Sequence, residues 1–166
     1  MENLTLIGMP ACGKSTVGVV LAKTAGMQFV DTDLLIQEKE GALLQDLINQ
    51  KGDAYFKKVE EYVLRSVEVE NTVISTGGSA VYYPEVMKHF KKKGKIVYIK
   101  VSYETIEKRL DNITTRGVTF SPGQTLKDLY DLRAPLYEAN ADIIVDAEDL
   151  TVEQTIEEIL KVFSSR

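Results

Sequence analysis

Gly8-Met9-Pro10-Ala11-Cys12-Gly13-Lys14-Ser15 matches the pattern G-x-x-x-x-G-K-[ST] at every fixed position. A short apolar run at 4–7 precedes it, and a helical pattern begins near Lys14. In this context of strand, turn and helix the pattern binds phosphate, because backbone N–H groups and the positive end of the helix face the anion. The alternative interpretation is an ordinary glycine-rich turn.

Each fixed residue of this loop has a physical role in binding a nucleoside triphosphate. Gly8 and Gly13 allow the backbone to curl so that successive N–H groups point inward. Lys14 is expected to reach the outer phosphates, and the Ser15 hydroxyl to ligate the Mg²⁺ that accompanies the nucleotide. The residues predicted to bind nucleotide here are Gly8, Ala11, Cys12, Gly13, Lys14, Ser15 and Thr16.

The composition excludes several classes of protein. The 166 residues are 44 % hydrophobic and 27 % charged, with a formal net charge of −5. This length suits one domain, and the single cysteine offers no disulfide framework. The acidic balance argues against nucleic acid as a partner, since binding a phosphate backbone needs a basic surface. No apolar run approaches the ~20 residues of a membrane span, and the first residues lack a signal-peptide pattern. We expect a cytoplasmic monomer with no membrane partner.

Strand-like runs alternate with helical patterns along the chain, which is typical of an α/β protein with a parallel sheet covered on both faces. The predicted strands are 4–7, 28–30, 72–75, 96–101 and 143–145. The apolar periodicity fails at about 112–124, which predicts a mobile loop. A helix resumes at Thr125, and Pro135 is expected to end or kink it.

Polar and glycine-rich segments follow the second and third predicted strands, at the sheet edge where α/β proteins bind ligands. Asp31 and Asp33 follow the second strand. Such a pair is often only a surface turn, but next to a phosphate loop it suits a ligand for magnesium-bound water and a group that binds hydroxyls. The run Ser75-Thr76-Gly77-Gly78-Ser79 follows the third strand, where its glycines form either a tight turn or a close approach to substrate.

Two arginines are further candidates for the site. Arg116 lies in the predicted loop, and Arg133 precedes Pro135. An exposed arginine is usually only a solvated charge. In a phosphoryl-transfer enzyme, however, an arginine on a closing loop can neutralise the transferring group, and one at the rim of the site can bind a substrate carboxylate.

Taken in order, six segments resemble the shikimate kinase family over nearly the whole chain: GMPACGKST, FVDTD, GDAYFKKVE, STGGS, the arginine-bearing loop and LRAPLY. The resemblance implies a three-layer α/β/α P-loop fold of the nucleoside-monophosphate-kinase type, with a five-stranded parallel sheet. It implies one kinase domain over 1–166, with a substrate-binding helical segment at about 34–67 and a lid at about 112–124. The implied reaction transfers the γ-phosphate of ATP to a hydroxyl of the small molecule shikimate, with Mg²⁺, in aromatic amino acid biosynthesis.

The resemblance also implies a role for each matching residue at the phosphate end of the site. Lys14 and Ser15 match the phosphate and magnesium positions, and Asp31 matches the acid that holds magnesium through water. Arg109 resembles the arginine that flanks adenine. Arg116 matches the lid arginine.

At the acceptor end, the resemblance gives Asp33 the place of the acid that binds the acceptor hydroxyls and accepts the proton. Gly77 and Gly78 fall in the glycine run beside the substrate. Arg133 matches an arginine that holds the substrate carboxylate. Lys14, Asp33 and Arg116 are the implied catalytic residues.

The sequence departs from the family pattern at three places. Lys57 follows Phe56 where the family has arginine, so a single ammonium replaces a bidentate guanidinium as a ligand for the carboxylate. The usual triple glycine ends in Ser79. Arg116 is followed by Gly117-Val118 rather than by Pro-Leu.

These departures leave alternatives open. Homoserine or gluconate is the alternative acceptor, and a nucleotide-binding module without catalysis is the alternative class of protein. Lys57 has an alternative of its own, which is to pair with Glu60 or Glu61 on the same helix.

Overall fold

The computed structural model describes residues 2–111 and 123–163. The strands within them are β1 (Asn3–Ile7), β2 (Gln28–Asp31), β3 (Thr72–Ser75), β4 (Gly94–Lys100) and β5 (Ile143–Asp146). They form one five-stranded parallel sheet in the order β2-β3-β1-β4-β5. The predicted parallel sheet is therefore confirmed.

Helices connect the strands and cover the sheet. In the described residues they are α1 (Lys14–Ala25), α2 (Thr32–Glu40), α3 (Leu44–Lys51), α4 (Asp53–Arg65), α5 (Pro84–Lys93), α6 (Tyr103–Asp111), α7 (Leu126–Asn140) and α8 (Val152–Phe163). A short 3-10 helix (Ala80–Tyr82) follows β3. Every residue of β1 and β3 is buried, which requires helices on both faces of the sheet. No helix among these residues is both long and apolar enough to cross a bilayer.

Along the chain, a small helical unit formed by α2, α3 and α4 lies between β2 and β3, which are neighbours in the sheet. These helices share a second apolar core, distinct from the core around the sheet, made of Ile36, Leu47, Phe56, Val59 and Val63. The unit begins directly at the end of β2, so its first turn lies at the carboxyl edge of the sheet.

Pro135 lies inside α7 and does not end it, because the helix continues to Asn140. Of the two effects expected of Pro135, ending the helix is therefore wrong, and a kink there stays a prediction. Arg133 and Tyr137, on either side of the proline, are 3 % and 0 % exposed. Tertiary packing of these side chains holds the backbone helical across the hydrogen bond that proline cannot make.

Candidate active site

The loop between β1 and α1 adopts a tightly curled backbone. Gly8 and Gly13 have φ of 150° and 100°, and Ala11 has φ of 67°. Lys14 is 7 % exposed, and its Nζ donates to the backbone oxygens of Gly8 at 2.7 Å and Met9 at 2.9 Å. The lysine ammonium therefore lies folded over the loop, at the head of α1.

Ser15 and Asp31 form a pair of oxygen donors beside this loop. The Ser15 hydroxyl donates to Oδ2 of Asp31 at 3.1 Å and lies 3.4 Å from Oγ of Ser75. The other carboxylate oxygen of Asp31 accepts from the N–H groups of Asp33 at 2.9 Å and Leu34 at 3.4 Å, so it caps α2. Hydroxyl and carboxylate oxygens are the ligands that Mg²⁺ prefers, usually one or two from the protein with waters completing the shell. The donor set therefore fits this ion.

A cavity of about 570 Å³ opens between the phosphate loop and the helical unit. The predicted residues from both ends of the site line it together: Lys14, Ser15, Asp33, Gly77, Gly78 and Arg133. Ala11, Gly13 and Thr16 of the phosphate loop line it as well. One cavity thus adjoins the phosphate loop, a carboxylate and a guanidinium, which suits a reaction between a nucleotide and a small anionic molecule.

Gly77 and Gly78 lie where the walls of the cavity come closest to the backbone. A Cβ on Gly77 would lie 2.8 Å from Oδ1 of Asp33. A Cβ on Gly78 would lie 2.7 Å from Nη1 of Arg133 and 2.9 Å from Cδ of Pro10. Only glycine allows the carboxylate and the guanidinium to approach the turn this closely.

Arg133 is a buried cation held by aromatic side chains. Its Nε donates to the Tyr82 hydroxyl at 3.1 Å, and its guanidinium carbon lies 5.2 Å from the centre of the Tyr82 ring. Tyr137 donates to the backbone oxygen of Gly78 at 2.6 Å, which fixes the glycine turn against the same helix. These contacts orient the guanidinium before any ligand binds.

A second cavity of about 280 Å³, the side pocket, adjoins the main cavity. Phe56, Ser79 and Arg133 line both cavities. Lys57 lines only the side pocket, where it is exposed. The structure therefore places Lys57 and Arg133 on one cavity, with Lys57 outside the main one.

Glu60 lies in the site although it is not among the residues predicted from the sequence. It is 1 % exposed and lines the main cavity, where Oε1 accepts hydrogen bonds from Ser79 at 2.6 Å and Tyr83 at 2.7 Å. Burial raises the pKa of the Glu60 carboxyl, and these hydrogen bonds and the charges of Arg133 and Lys57 oppose the shift. The sequence did contain a sign of its burial, because Glu60 is an acid at a position on the apolar stripe of α4.

Two further predicted residues, Arg109 and Cys12, lie at the phosphate loop, and a third is outside the described residues. Arg109, on α6, donates from Nη1 to the backbone oxygen of Ala11 at 2.9 Å and so borders the phosphate loop. Cys12 is buried, with its sulfur 3.6 Å from Nζ of Lys14. Arg116 lies outside the described residues, as does most of the predicted lid.

Comparisons with known proteins identify the family of this chain. The family model for shikimate kinase matches residues 10–164. A shikimate kinase of Sulfurihydrogenibium sp. (strain YO3AOP1) is 38 % identical, with 100 % of both chains covered.

Solved structures of shikimate kinases also match this chain. Shikimate kinase from Acinetobacter baumannii in complex with shikimate superposes with a TM-score of 0.88 at 29 % identity, covering 99 % of this chain and 94 % of that one. Shikimate kinase from Aquifex aeolicus superposes with a TM-score of 0.85 at 34 % identity, covering 98 % and 96 %. The three-layer P-loop fold that the resemblance implied is confirmed. The chain belongs to the shikimate kinase family.

Proposed function

We propose that the protein transfers the γ-phosphate of ATP to a hydroxyl of shikimate, giving shikimate 3-phosphate and ADP. The observation that carries this proposal is the single cavity that joins the phosphate loop to Asp33 and Arg133. A module that only binds nucleotide would have no need of an acid and a buried guanidinium facing the loop. Membership of the family supplies the identity of the acceptor.

At the nucleotide end, Lys14 stabilises the negative charge on the β- and γ-phosphates. It does so by exchanging its bonds to the oxygens of Gly8 and Met9 for phosphate oxygens. Ser15 and Asp31 would hold Mg²⁺, which neutralises phosphate charge when it is bound. Arg109, which already borders the loop, would flank the adenine.

At the acceptor end, Asp33 binds the reacting hydroxyl. The hydroxyl oxygen attacks the γ-phosphorus, the bond between that phosphorus and the oxygen of ADP breaks, and the hydroxyl proton passes to the Asp33 carboxylate. Gly77 and Gly78 let the acceptor ring approach the backbone beside Asp33. Phosphoryl transfer gains most of its rate from such positioning and from charge stabilisation, so no covalent intermediate is needed.

The acceptor carboxylate would lie between Arg133 and Lys57, the two cations of the side pocket. Arg133 is buried and held in place, so it can offer a fixed pair of N–H donors. Lys57 offers a single point charge. In this proposal the segment at about 34–67 binds the acceptor, and Arg116, in a lid at about 112–124, stabilises the transferring phosphate.

The proposal extends to the oligomeric state and the cellular location of the protein. We propose a monomer that acts in the cytoplasm, in aromatic amino acid biosynthesis, on a small molecule rather than on nucleic acid. The net charge of −5 supports the last point, because it would repel a phosphate backbone. Light scattering of the purified protein, with and without ATP, tests the oligomeric state.

Purified protein incubated with ATP, Mg²⁺ and one hydroxy acid at a time tests the proposed reaction. We expect ADP release and a new phosphate ester by ³¹P NMR with shikimate, and much slower release with homoserine or gluconate. Preference for either of those acids would change the acceptor but leave the kinase class intact. ATP binding without phosphate transfer to any acceptor would instead favour the non-catalytic module.

A further inference from the structure

Tyr82 ends the short 3-10 helix after β3 and lines the side pocket with its half-buried side chain. Its hydroxyl oxygen accepts the 3.1 Å hydrogen bond from Nε of Arg133, and the guanidinium carbon lies 5.2 Å from the ring centre. Arg133 itself is 3 % exposed. The hydroxyl oxygen of Tyr82 is therefore held by a buried partner.

The proton of this hydroxyl has no acceptor in the described part of the chain. A phenol carries one O–H donor besides its acceptor lone pairs. The only hydrogen bond of the Tyr82 side chain within residues 2–111 and 123–163 is the one that it accepts from Arg133. By contrast, the hydroxyl of the adjacent Tyr83 is already used, because it donates to Glu60. As far as residues 2–111 and 123–163 are concerned, Tyr82 thus brings an unused donor to the wall of the side pocket.

The side pocket suits a carboxylate attached to a small ring. Lys57 and Arg133 supply positive charge, and Phe56 and Leu129 supply apolar walls that strengthen hydrogen bonds by excluding water. One acid, Asp53, also lines the pocket, where it lies exposed on α4 as Lys57 does, so two cations stand against one carboxylate. The charge inside the pocket is therefore positive, and an anion is the favoured occupant.

We propose that Tyr82 is a further acceptor-binding residue, whose hydroxyl donates its proton to the carboxylate held between Lys57 and Arg133. This inference rests on the proposed function and deepens it. A lysine at position 57 gives one directed hydrogen bond where a guanidinium would give two. Tyr82, which lines the same pocket, supplies the missing donor, so the carboxylate keeps a full set of partners.

Calorimetric binding of shikimate to the wild-type protein and to Tyr82→Phe tests the proposal directly. Phenylalanine keeps the ring against Arg133 and removes only the hydroxyl. We expect the dissociation constant for shikimate to rise about tenfold, as for a lost hydrogen bond to a charged group. For the analogue whose carboxylate is replaced by a hydroxymethyl group, the same substitution should leave the dissociation constant unchanged. Tyr62→Phe, which alters an exposed tyrosine, is the matched control.

Two double variants separate direct donation from an effect through Arg133. Lys57→Arg combined with Tyr82→Phe should recover most of the lost affinity, since the guanidinium supplies the second donor. Tyr82→Phe should still weaken binding in an Arg133→Lys background. If it has no further effect there, Tyr82 acts only by positioning Arg133 and direct donation is overturned.

Two other results would also decide the matter. An unchanged dissociation constant for shikimate in Tyr82→Phe would overturn this inference and leave the proposed reaction standing. Failure of the wild-type protein to bind shikimate while it binds ATP would overturn the proposed acceptor, and this inference with it.

Discussion

The Ser79 hydroxyl donates a 2.6 Å hydrogen bond to Oε1 of Glu60, a carboxyl that is 1 % exposed. Ser79 stands at the end of the glycine run, where the family pattern has a third glycine. The serine therefore has a structural role beyond the turn, because its hydrogen bond connects the segment after β3 to α4. Tyr83 donates to the same oxygen at 2.7 Å, so two donors hold one buried carboxyl.

Replacing Ser79 with alanine should destabilise the protein. The substitution removes one of two donors to a buried carboxyl, and we expect the free energy of unfolding to fall by about 1–3 kcal/mol. Urea unfolding measures the change. Ser66→Ala is the control, since its hydroxyl bonds to the Tyr62 oxygen in its own exposed helix end and should matter little. Equal, small effects of the two substitutions would contradict the role given to Ser79.

The stability of the protein should depend on pH through Glu60. Burial raises the pKa of this carboxyl above its ordinary value of 4.5, so the folded state favours the neutral form. A raised folded pKa contributes stability that is complete below the unfolded pKa and is lost as pH rises through the folded pKa. Glu60→Gln keeps an oxygen that accepts from Ser79 and Tyr83 but cannot ionise. Its stability relative to wild type should therefore increase as pH rises from about 4.5.

Urea unfolding of both proteins between pH 4.5 and 8 measures this difference. Glu61→Gln, one residue along the same helix, controls for the loss of a carboxylate in general. A constant difference between wild type and Glu60→Gln across that range would show that Glu60 has the same pKa folded and unfolded.

Lys14→Ala should fold normally and lose turnover. The ammonium is expected to stabilise phosphate charge that grows in the transition state, so we expect kcat to fall by about 10²-fold or more. Its bonds to the oxygens of Gly8 and Met9 are local to the loop, so circular dichroism should stay unchanged. Lys23→Ala, on the exposed end of the same helix, is the control. Normal turnover in a folded Lys14→Ala protein would end the kinase proposal.

The fold and the phosphate end of the site were predictable because local rules set them. The spacing of Gly8, Gly13 and Lys14 defines the loop. Gly26 ends α1 by an equally local rule, with φ of 68° and its N–H bonded to the Ala22 oxygen. Asp31 shows the limit of such rules. The sequence indicated that Asp31 is an acid of the site. It did not indicate that one oxygen of Asp31 also caps α2, because that role depends on where β2 ends.

The acceptor end was harder to predict, because long-range packing assembles it. Glu60 and Tyr83 are far apart in sequence and meet only when α4 packs against the turn after β3. Tyr82 meets Arg133 across 51 residues. Neither Tyr82 nor Tyr83 has a local sequence pattern that would mark it as a site residue. For the same reason α7 runs through Pro135, since the packing of Tyr137 outweighs the local preference of proline.

Gly78→Ala should weaken acceptor binding more than it weakens folding. The added methyl would lie 2.7 Å from Nη1 of Arg133 and 2.9 Å from Cδ of Pro10, so the guanidinium must shift. We expect the Michaelis constant for shikimate to rise about tenfold, with that for ATP nearly unchanged. Gly41→Ala is the control, because it strains a backbone at φ of 64° but meets no atom within 4 Å. It should lower stability without changing either constant.

Lys57 is the departure that bears most on the identity of the acceptor. It lines the side pocket together with Arg133, whereas the alternative partner Glu60 is buried and accepts hydrogen bonds from Ser79 and Tyr83. Among the described residues, no ion pair joins Lys57 to Glu60 or to the other alternative partner, Glu61. This arrangement leaves the lysine ammonium available to a ligand.

Lys57→Arg should therefore lower the Michaelis constant for shikimate, since a guanidinium can give the carboxylate two parallel hydrogen bonds in place of one. The gain should be on the order of one such bond, ~1 kcal/mol or about fivefold. Lys57→Ala should raise the same constant and leave that for ATP unchanged. Steady-state kinetics of the three proteins with shikimate and with homoserine provide the measurement. If Lys57→Arg lowers the Michaelis constant for homoserine rather than that for shikimate, the pocket is shaped for a different acid. An unaltered constant in Lys57→Ala for both acceptors would remove Lys57 from the site, and the carboxylate would then depend on Arg133 and Tyr82 alone.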